Sequence, residues 1–363
     1  MDLRFTPEQE QLIRTAERFL ERVSPASAVR LLDGDVRGFD AGVWREMAAL
    51  GWLTLELEEG RGGGLSFLET ALLAEAMGRA LLPSPFVVTT VMAVPLVEAL
   101  AGAGERTRWL GRLGNGELVA TVALVEDGWT DPFGVPRLAV SGAGAPRLSG
   151  RKRFVPFAAH ADLVFVVAAD EQVMAVEAPA QRLACERLAT LGGDPLYDVT
   201  FDGTPAVALG RAEPALLRRV LDRGAVASLA YGMGAAARAL ELTVDHAKTR
   251  EQFGRPIGSF QAVAHRCADM LSDLEAIRYL VYQAAWALAA GRDAALEAGT
   301  ALGYGLDALR RLAMHAHQVH GAIGFSTEHD LHLYTRRLKA IELSWGTAAA
   351  YRERVAVAMG LSR

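Results

Sequence analysis

The chain has 363 residues, of which 51% are hydrophobic, and carries a formal net charge of −5. This length exceeds one ordinary hydrophobic core and predicts about two or three domains. The small negative charge argues against a nucleic-acid partner or an anionic membrane surface. Cys185 and Cys267 lie far apart and lack metal-type spacing. We therefore interpret them as free thiols in a reducing compartment.

The apolar segments of the chain predict neither a signal peptide nor a membrane span. The N-terminal residues contain no apolar signal core. The longest apolar run, residues 87–100, is interrupted by Pro95 and Glu98 and falls short of the roughly 20 residues that cross a bilayer. We therefore expect a cytoplasmic protein without membrane contact.

The pattern of breakers and apolar spacing predicts an α+β fold with three domains. Residues 1–116 predict a helical domain, which begins at Thr6-Pro7-Glu8 with a capping residue followed by proline. Residues 117–208 contain short β-branched runs separated by Gly, Pro and Asp, which predict a small antiparallel β domain. Residues 209–363 contain long Ala- and Leu-rich stretches with few breakers, which predict a four-helix bundle.

Two segments of the predicted bundle carry the strongest functional signal. The first, TREQFGRPIGSFQ at residues 249–261, puts Arg250 and Phe253 one helical turn apart before a glycine- and proline-containing break. The second, QVHGAIGF, covers residues 318–325. Together they resemble the two FAD-contacting segments of the acyl-CoA dehydrogenase family. The resemblance extends over essentially the whole chain, because the helical–β–helical order is also the order of that family.

Two further segments support this resemblance. The sequence EGRGGGLS at residues 59–66 looks like the glycine-rich turn of the family. The sequence LSGRKRF at residues 148–154 looks like the strand that carries the flavin-facing aromatic residue. In the family, FAD lies between the β domain and the bundle, and its adenosine end reaches into a neighbouring subunit.

The resemblance assigns cofactor contacts to individual residues. Arg250, Phe253 and Gln261 would contact FAD bound to the adjacent subunit. A guanidinium suits a pyrophosphate because its fork of donors matches the oxygens, and a phenyl ring supplies an apolar wall. Gln318 and the backbone at Gly321 would approach the same nucleotide, since glycine permits close backbone contact. The hydroxyl of Thr347 would donate to the phosphate of the chain's own flavin.

The catalytic base of the family is not at its usual place. Family members remove an α-proton from an acyl-CoA thioester with a carboxylate and pass the β-hydride to the flavin, a step that needs a desolvated base. In many members this base directly precedes a C-terminal Gly-Thr pair, where the present chain has Trp345. Other members place it in the long preceding helix, at a position that falls around Gly224 and Ala225, with no Glu nearby. Asp222 and Glu342 remain as candidate bases.

The segment expected to face the chain's own flavin also departs from the family. Many members have Trp-Ile-Thr-Asn where this chain has FVPF at residues 154–157. Phe154 can still stack, but Pro156 has neither a hydroxyl nor an N–H for the flavin. The expected turn before this strand corresponds to residues 126–129 or 130–132, and Ala349 replaces an expected glutamine. Contacts to a neighbour's FAD are therefore kept, while those to the chain's own flavin are eroded.

This asymmetry resembles the partner-type β subunit of actinobacterial α₂β₂ acyl-CoA dehydrogenases, which often act on bulky acyl-CoAs such as steroid side chains. A self-sufficient homotetramer with a relocated base is the alternative. A second alternative is a non-dehydrogenase flavoprotein or an acyl-CoA-binding scaffold on the same fold. For a dehydrogenase, the resemblance implies an acyl-CoA substrate and electron-transferring flavoprotein as the acceptor.

Four histidines in and around the second segment offer a metal-site interpretation. They are His317, His320, His329 and His332, with Glu328 and Asp330 beside them. The segment matches the flavin-site region of the family better than a metal-ligand pattern. We therefore predict no metal.

Overall fold

A computed structural model describes residues 5–57, 62–129, 133–142 and 144–361. In these ranges the α-helices, α1 to α11, are Pro7–Val23, Ala26–Leu32, Ala41–Ala49, Phe67–Arg79, Val94–Leu100, Ala103–Gly114, Pro214–Thr249, Gln261–Ala289, Ala295–His320, Leu331–Ser344 and Ala348–Ala358. The strands, β1 to β10, are Ala120–Ala123, Ala139–Ser141, Arg147–Pro156, Leu163–Val167, Gln172–Glu177, Leu183–Arg187, Leu196–Pro205, Val207–Arg211, Glu251–Gln252 and Arg255–Pro256. A π-helix covers Val87–Ala93.

The chain divides into two compact units. The first comprises Met1–Arg30, Phe67–Leu82 and Ala225–Arg363, and the second comprises Leu31–Ser66 and Pro83–Gly224. The division falls within α7, so each unit combines segments that are distant in sequence. The predicted three-domain boundaries at residues 116 and 208 stay a prediction.

The first unit is helical and follows the expected sequence signals. At the start of α1, the side chain of Thr6 accepts a hydrogen bond from the Gln9 N–H at 3.2 Å, and Gln9 Oε1 accepts from the Thr6 N–H at 3.0 Å. This reciprocal capping confirms the predicted helix start. Further along the chain, α9 packs against α8, α10 and α11. The C-terminal bundle is therefore confirmed.

Two glycines allow α4 and α7 to approach closely in this unit. A Cβ atom on Gly78 would lie 1.8 Å from the carbonyl oxygen of Tyr231, and one on Gly234 would lie 1.9 Å from that of Glu75. Neither position can accept a side chain without separating the helices, because the obstructing atoms belong to backbone. This close contact thus fixes α7 against α4. The functional segments at the ends of α7 and α9 depend on this part of the bundle.

The second unit contains two four-stranded sheets. Their strand orders are β1-β4-β5-β8 and β2-β3-β7-β6. The neighbouring strands are antiparallel, as predicted, except that β1 pairs with β4 in parallel. The parallel pair is possible because the chain between them enters the other sheet through β2 and β3, and a parallel connection needs such a long crossover.

No helix in the described part of the chain is long and apolar enough to span a membrane. The predicted cytoplasmic location stays a prediction. Residues 59–61 of the glycine-rich turn and residues 130–132 of the expected flavin turn lie outside the described residues.

Candidate functional site

A short hairpin follows α7 and presents the first predicted segment. Helix α7 ends at Thr249, and β9 and β10 then pair antiparallel with Phe253 and Gly254 as the two-residue loop. Both loop residues have positive φ angles, +55° and +76°, which is the signature of a type I′ turn. The prediction that Arg250 and Phe253 lie one helical turn apart is therefore wrong. Glycine at the second loop position favours the tight turn, and the hairpin replaces a continued helix.

The hairpin exposes its two most distinctive side chains. Phe253 is 90% exposed, although its ring contacts Phe260 edge-on at a centroid distance of 6.0 Å. The Arg255 guanidinium covers the Phe260 ring at 4.2 Å, and the Ile257 N–H donates to the Arg250 carbonyl at 2.8 Å. The guanidinium of Arg250 is exposed and has no ion-pair or hydrogen-bond partner among the described residues. The hairpin is thus anchored at its base and leaves a free cation and a bare ring outside.

The start of α8 and the end of α9 supply the other predicted contacts. Gln261 is exposed and begins α8, whose N-cap residue Phe260 provides no side-chain cap. Gln318 is exposed on the last turn of α9, and Gly321 follows with φ +64° and ψ −142°. This backbone conformation favours glycine, and apart from its chain neighbours no described residue has an atom within 4 Å of the place that a Cβ would take. The backbone at Gly321 is therefore open to a ligand.

Stacked imidazoles connect the end of α7 with the end of α9. His246 lies four residues before Arg250, and its ring stacks on His320 with a centroid distance of 4.5 Å and an interplanar angle of 19°. His320 directly precedes Gly321. We name the residues of these two chain segments the Arg250 edge; they are Arg250, Phe253, Gln261, Gln318 and Gly321. His246 was not among the predicted site residues, although it lies one helical turn before Arg250.

Burial keeps these imidazoles neutral. Desolvation is the main cause that lowers the pKa of His320 to about 4, and His246 and His329 lower it further. Desolvation likewise lowers the pKa of His246. His317 stacks on Phe325 at 4.0 Å and lies 2.9 Å from the Thr335 hydroxyl. In the described ranges, no group of three or more His, Cys, Asp or Glu side chains is arranged to hold a metal ion.

Thr347 begins α11 and keeps a free donor. Its Oγ1 accepts a hydrogen bond from the Ala350 N–H at 3.2 Å, so the hydroxyl acts as the helix N-cap. The hydroxyl proton is still available because capping uses only a lone pair. The residue is exposed. Thr347 can therefore donate to a phosphate oxygen while it caps α11.

The end of α10 provides no free carboxylate. Trp345 is the C-cap residue and is followed by Gly346 with φ +88°. Glu342 accepts a hydrogen bond from the Lys339 ammonium at 2.9 Å, and its side chain is only 14% exposed. The carboxylate is therefore already engaged by a neighbouring ammonium. The arrangement weakens the case for Glu342 as a base.

Asp222 lies in the second unit within a cluster of charged groups. It is 3% exposed and engaged in an interaction of its own. The adjacent Arg223 binds Glu56 at 2.7 Å and approaches the Val91 carbonyl of the π-helix at 3.5 Å. Gly224, which follows, has no side chain to act as a base. The burial of Asp222, whose side chain is already engaged, favours a structural role for this residue.

The segment expected to face the flavin contains a strained aromatic residue. Phe154 has φ +55° at an irregularity in the β3–β7 pairing and is 51% exposed. The Arg153 guanidinium covers its ring at 5.1 Å and is held by Asp198 at 2.6 Å and Asp127 at 2.7 Å. Burial opposes the ionisation of Asp198, but hydrogen bonds from Arg153 and Arg151 leave the pKa of its carboxyl lowered. An exposed ring in a costly backbone conformation is typical of a functional position.

Pro156 has a purely structural contact in the same strand. Its carbonyl accepts a hydrogen bond from the Thr121 hydroxyl at 2.5 Å. The proline nitrogen has no proton, so the residue has no donor left for a ligand. The geometry therefore agrees with the expectation that no hydrogen bond reaches a flavin from this position.

Comparisons with known proteins give a consistent result. The model of the acyl-CoA dehydrogenase N-terminal domain matches residues 6–117, and that of the C-terminal domain matches residues 215–360. The chain is similar to the acyl-CoA dehydrogenase IpdE2 of Mycobacterium tuberculosis, with 32% identity over 336 residues that cover 91% of each chain.

Solved structures are similar over the full length. A chain of the crystal structure of the ChsE4–ChsE5 complex from Mycobacterium tuberculosis matches with a TM-score of 0.91 and 28% identity. The match covers 100% of this chain and 100% of that chain. The Tcur3481–Tcur3483 steroid ACAD has a TM-score of 0.88 with 32% identity and covers 97% of this chain and 98% of that chain.

Proposed function

Because the chain belongs to the acyl-CoA dehydrogenase family of FAD-dependent oxidoreductases acting on CH–CH groups, we propose that it takes part in acyl-CoA desaturation as a subunit that lacks the usual catalytic Glu. In this role it completes the FAD site of a partner chain. One observation carries the proposal: the Arg250 edge presents free ligand-type side chains, whereas a tryptophan stands where the family base is expected.

The donor set of the Arg250 edge fits FAD. The unpaired guanidinium of Arg250 supplies a bidentate donor for a pyrophosphate, and the exposed ring of Phe253 supplies an apolar wall. Gln318 offers amide donors and acceptors, and the open backbone at Gly321 allows close approach. A large apolar ring at the tip of a hairpin is costly in water, and a ligand or a neighbouring chain removes that cost.

FAD, when bound, supplies the two-electron acceptor for the hydride that leaves the substrate β-carbon. The remaining requirement is a carboxylate that takes the α-proton. In this chain the Glu342 carboxylate is held by Lys339, Asp222 is buried and engaged, and Trp345 cannot accept a proton. A partner chain that carries the glutamate therefore supplies the base in our proposal.

The chain's own flavin contacts support the same division of work. Thr347 keeps a hydroxyl donor for a phosphate, and Phe154 keeps an exposed ring. Pro156, however, has no donor for the flavin, and its carbonyl is bound to Thr121. The chain thus keeps side chains that can contact the phosphate and one ring of the cofactor. It lacks the donor that would orient the reactive flavin ring.

Two similar structures favour a hetero-oligomer and a bulky substrate. The ChsE4–ChsE5 complex and the Tcur3481–Tcur3483 steroid ACAD each pair two differently named proteins, and the second is a steroid enzyme. We extend both properties to this chain: a paired, related subunit and an acyl-CoA of steroid-like bulk. Electron-transferring flavoprotein as the acceptor remains an expectation of the family resemblance.

The proposal is tested by absorbance spectra of the purified chain, alone and co-expressed with a related chain that carries the glutamate. We expect the chain alone to retain little FAD and to show no flavin bleaching with acyl-CoAs. The co-expressed assembly should be yellow and should bleach with a bulky acyl-CoA. A yellow chain that bleaches by itself would instead support a self-sufficient enzyme.

The same assay separates the two candidate bases of that alternative. In a self-sufficient enzyme, Asp222→Asn or Glu342→Gln would abolish bleaching and leave the flavin bound. Under our proposal, the isolated chain shows no bleaching, so neither substitution changes the result. Acyl-CoA binding without any flavin, in the chain or in the assembly, would contradict both and support a scaffold.

A further inference from the structure

Three histidines form a contact that bridges the two halves of the Arg250 edge. We name His246, His320 and His329 the imidazole stack. His246 lies parallel to His320 at 4.5 Å, and His329 meets His320 at 4.9 Å with an interplanar angle of 67°. The rings come from α7, α9 and the segment before α10, so the stack joins three parts of the chain.

The hydrogen bonds of the stack require uncharged rings. His320 Nδ1 lies 2.9 Å from the Ala316 carbonyl and must donate to it, so in the neutral ring Nε2 carries the lone pair. This Nε2 is buried and has no hydrogen-bond partner among the described residues. His329 Nδ1 accepts a hydrogen bond from the Leu331 N–H at 3.1 Å. A proton added to His320 Nε2 would have no acceptor.

The charges around the stack also disfavour a proton. Arg250 acts on His246 from the end of α7, and His317 acts on His320 from its own helix. On the side of α10, His332 acts on His317. The neighbouring acid Asp330 is paired with Arg30 at 2.6 Å, and Glu328 is exposed. A cationic ring in this stack would face other imidazoles and a guanidinium.

The backbone joins the stack residues to both halves of the Arg250 edge. The Arg250 N–H donates to the His246 carbonyl at 2.9 Å. The Gly321 N–H donates to the carbonyl of His317, and Gly321 follows His320 in the chain. A change in the separation of His246 and His320 therefore moves Arg250 relative to Gly321.

We propose that the imidazole stack positions Arg250 and Gly321 for the cofactor, and that its protonation separates the two segments and weakens FAD binding. This inference depends on the proposed function, because it assigns the histidines to the same cofactor site. The three histidines are positioning residues, since they act through Arg250 and Gly321.

The direction of the effect follows from proton linkage. A free histidine takes up a proton below its ordinary pKa of about 6.5, whereas the intact stack excludes it. An opened stack takes up this proton, so the share of open stack in the FAD-free chain rises by up to about tenfold per pH unit below pH 6.5. We expect this share, and with it hydrogen exchange, to rise about fivefold to tenfold between pH 7.5 and pH 5.5. FAD selects the intact stack, so its affinity should fall about twofold at pH 4, near the pKa of His320 in the intact stack.

The test uses two measurements on the assembled protein across this pH range. The first is the FAD dissociation constant, followed by flavin fluorescence at pH 7.5, 5.5 and 4. The second is hydrogen exchange of residues 246–250 and 321–325 without FAD, corrected for the intrinsic pH dependence of exchange. His320→Phe keeps an aromatic ring in the stack but cannot take up a proton. His160→Asn, in the other unit, is the matched control.

We expect wild-type exchange in both segments to rise on acidification together with the FAD dissociation constant. His320→Phe should bind FAD within about twofold of wild type at pH 7.5 and lose most of the pH dependence, while His160→Asn should retain it. If His320→Phe does not fold, His246→Phe, which removes a second ring of lowered pKa, makes the same test by reducing the pH dependence.

The outcomes separate this inference from the proposed function. Exchange that is independent of pH, or a pH dependence that survives both phenylalanine variants, overturns the inference even if FAD binds normally. Wild-type protein that takes up no FAD at any pH overturns the proposed function, and the cofactor role of the stack with it. The exchange data then still report whether the stack opens on acidification.

Discussion

The Arg250 edge and the end of α10 differ in what their polar side chains already contact. At the Arg250 edge, the guanidinium of Arg250 is unpaired among the described residues and the ring of Phe253 is almost fully exposed. At the end of α10, the carboxylate of Glu342 forms an ion pair with Lys339, and Trp345 takes the place of the family base.

Under the proposed function, this difference shows how a binding surface can be kept where a catalytic one is lost. Free charged and apolar groups cost little at a surface where a ligand or a neighbour covers them. A desolvated carboxylate is destabilising unless it is paired or used, so a chain that does not need its base gains by pairing or losing it. Four variants can break or sharpen the comparison.

The largest expected effect is that of Arg250→Ala on cofactor binding. Loss of a charged, bidentate donor should weaken FAD binding by the assembly about 10- to 100-fold. The free energy of unfolding should stay within about 0.5 kcal/mol, because the side chain has no internal partner. FAD titration and urea unfolding measure the two quantities. Arg292→Ala, which removes an exposed arginine paired with Glu297, serves as the control, and an unchanged FAD occupancy would refute the assignment.

The second effect concerns acid and the stability of the helical unit. Because burial lowers the pKa of His320 to about 4, the unfolded chain binds a proton below about pH 6.5 that the folded chain excludes. The contribution is complete above pH 6.5 and is lost as the pH falls towards 4, by about 2 kcal/mol at pH 5.

Urea unfolding at pH 7.5 and pH 5 checks this expectation. The loss of stability on acidification should be smaller in His320→Phe than in wild type, because the variant has no proton to exclude. Equal losses in the two proteins would show that His320 titrates normally in the folded state.

Phe253→Asn should change binding and stability in opposite directions. Asparagine is favoured before glycine in a type I′ turn and tolerates the φ of +55° better than phenylalanine. We expect the free energy of unfolding to rise by up to about 1 kcal/mol, and FAD affinity to fall about fivefold as the apolar wall is lost. Thermal unfolding and FAD titration test both signs. Phe253→Leu keeps an apolar side chain and should retain more affinity without the gain in stability.

The smallest effect expected is that of Trp345→Glu in the isolated chain with added FAD. A carboxylate at this position alone should not restore acyl-CoA-dependent bleaching, because Pro156 still lacks a donor for the flavin. Bleaching by the single variant would contradict the proposed loss of the chain's own flavin contacts. The double variant with Pro156→Thr is the informative companion, since it returns a base and a donor together.

Much of the fold could be predicted from local signals. The capped start at Thr6, the β-rich middle region and the long helices of the bundle follow from capping chemistry and from periodic burial. The parallel β1–β4 pair could not be predicted, because short apolar runs do not reveal the direction in which strands meet. The hairpin at Phe253 was not predicted either. The three-residue spacing of Arg250 and Phe253 suits a helix, but Gly254 favours a tight turn at this point.

The candidate site shows the same boundary between local and tertiary information. The sequence by itself determined the family, the cofactor expected and the absence of a glutamate before Gly346, because these depend on residue identity at fixed spacing. Tertiary structure alone decided which of those residues are free. Lys339 forms an ion pair with Glu342, and Asp222 is buried away from solvent. His246 stacks on His320, although the two residues lie 74 positions apart in the chain. None of these contacts can be read from the sequence alone. Pairing and burial arise from groups brought together by folding, so only the folded chain distinguishes a ligand-ready side chain from one already satisfied.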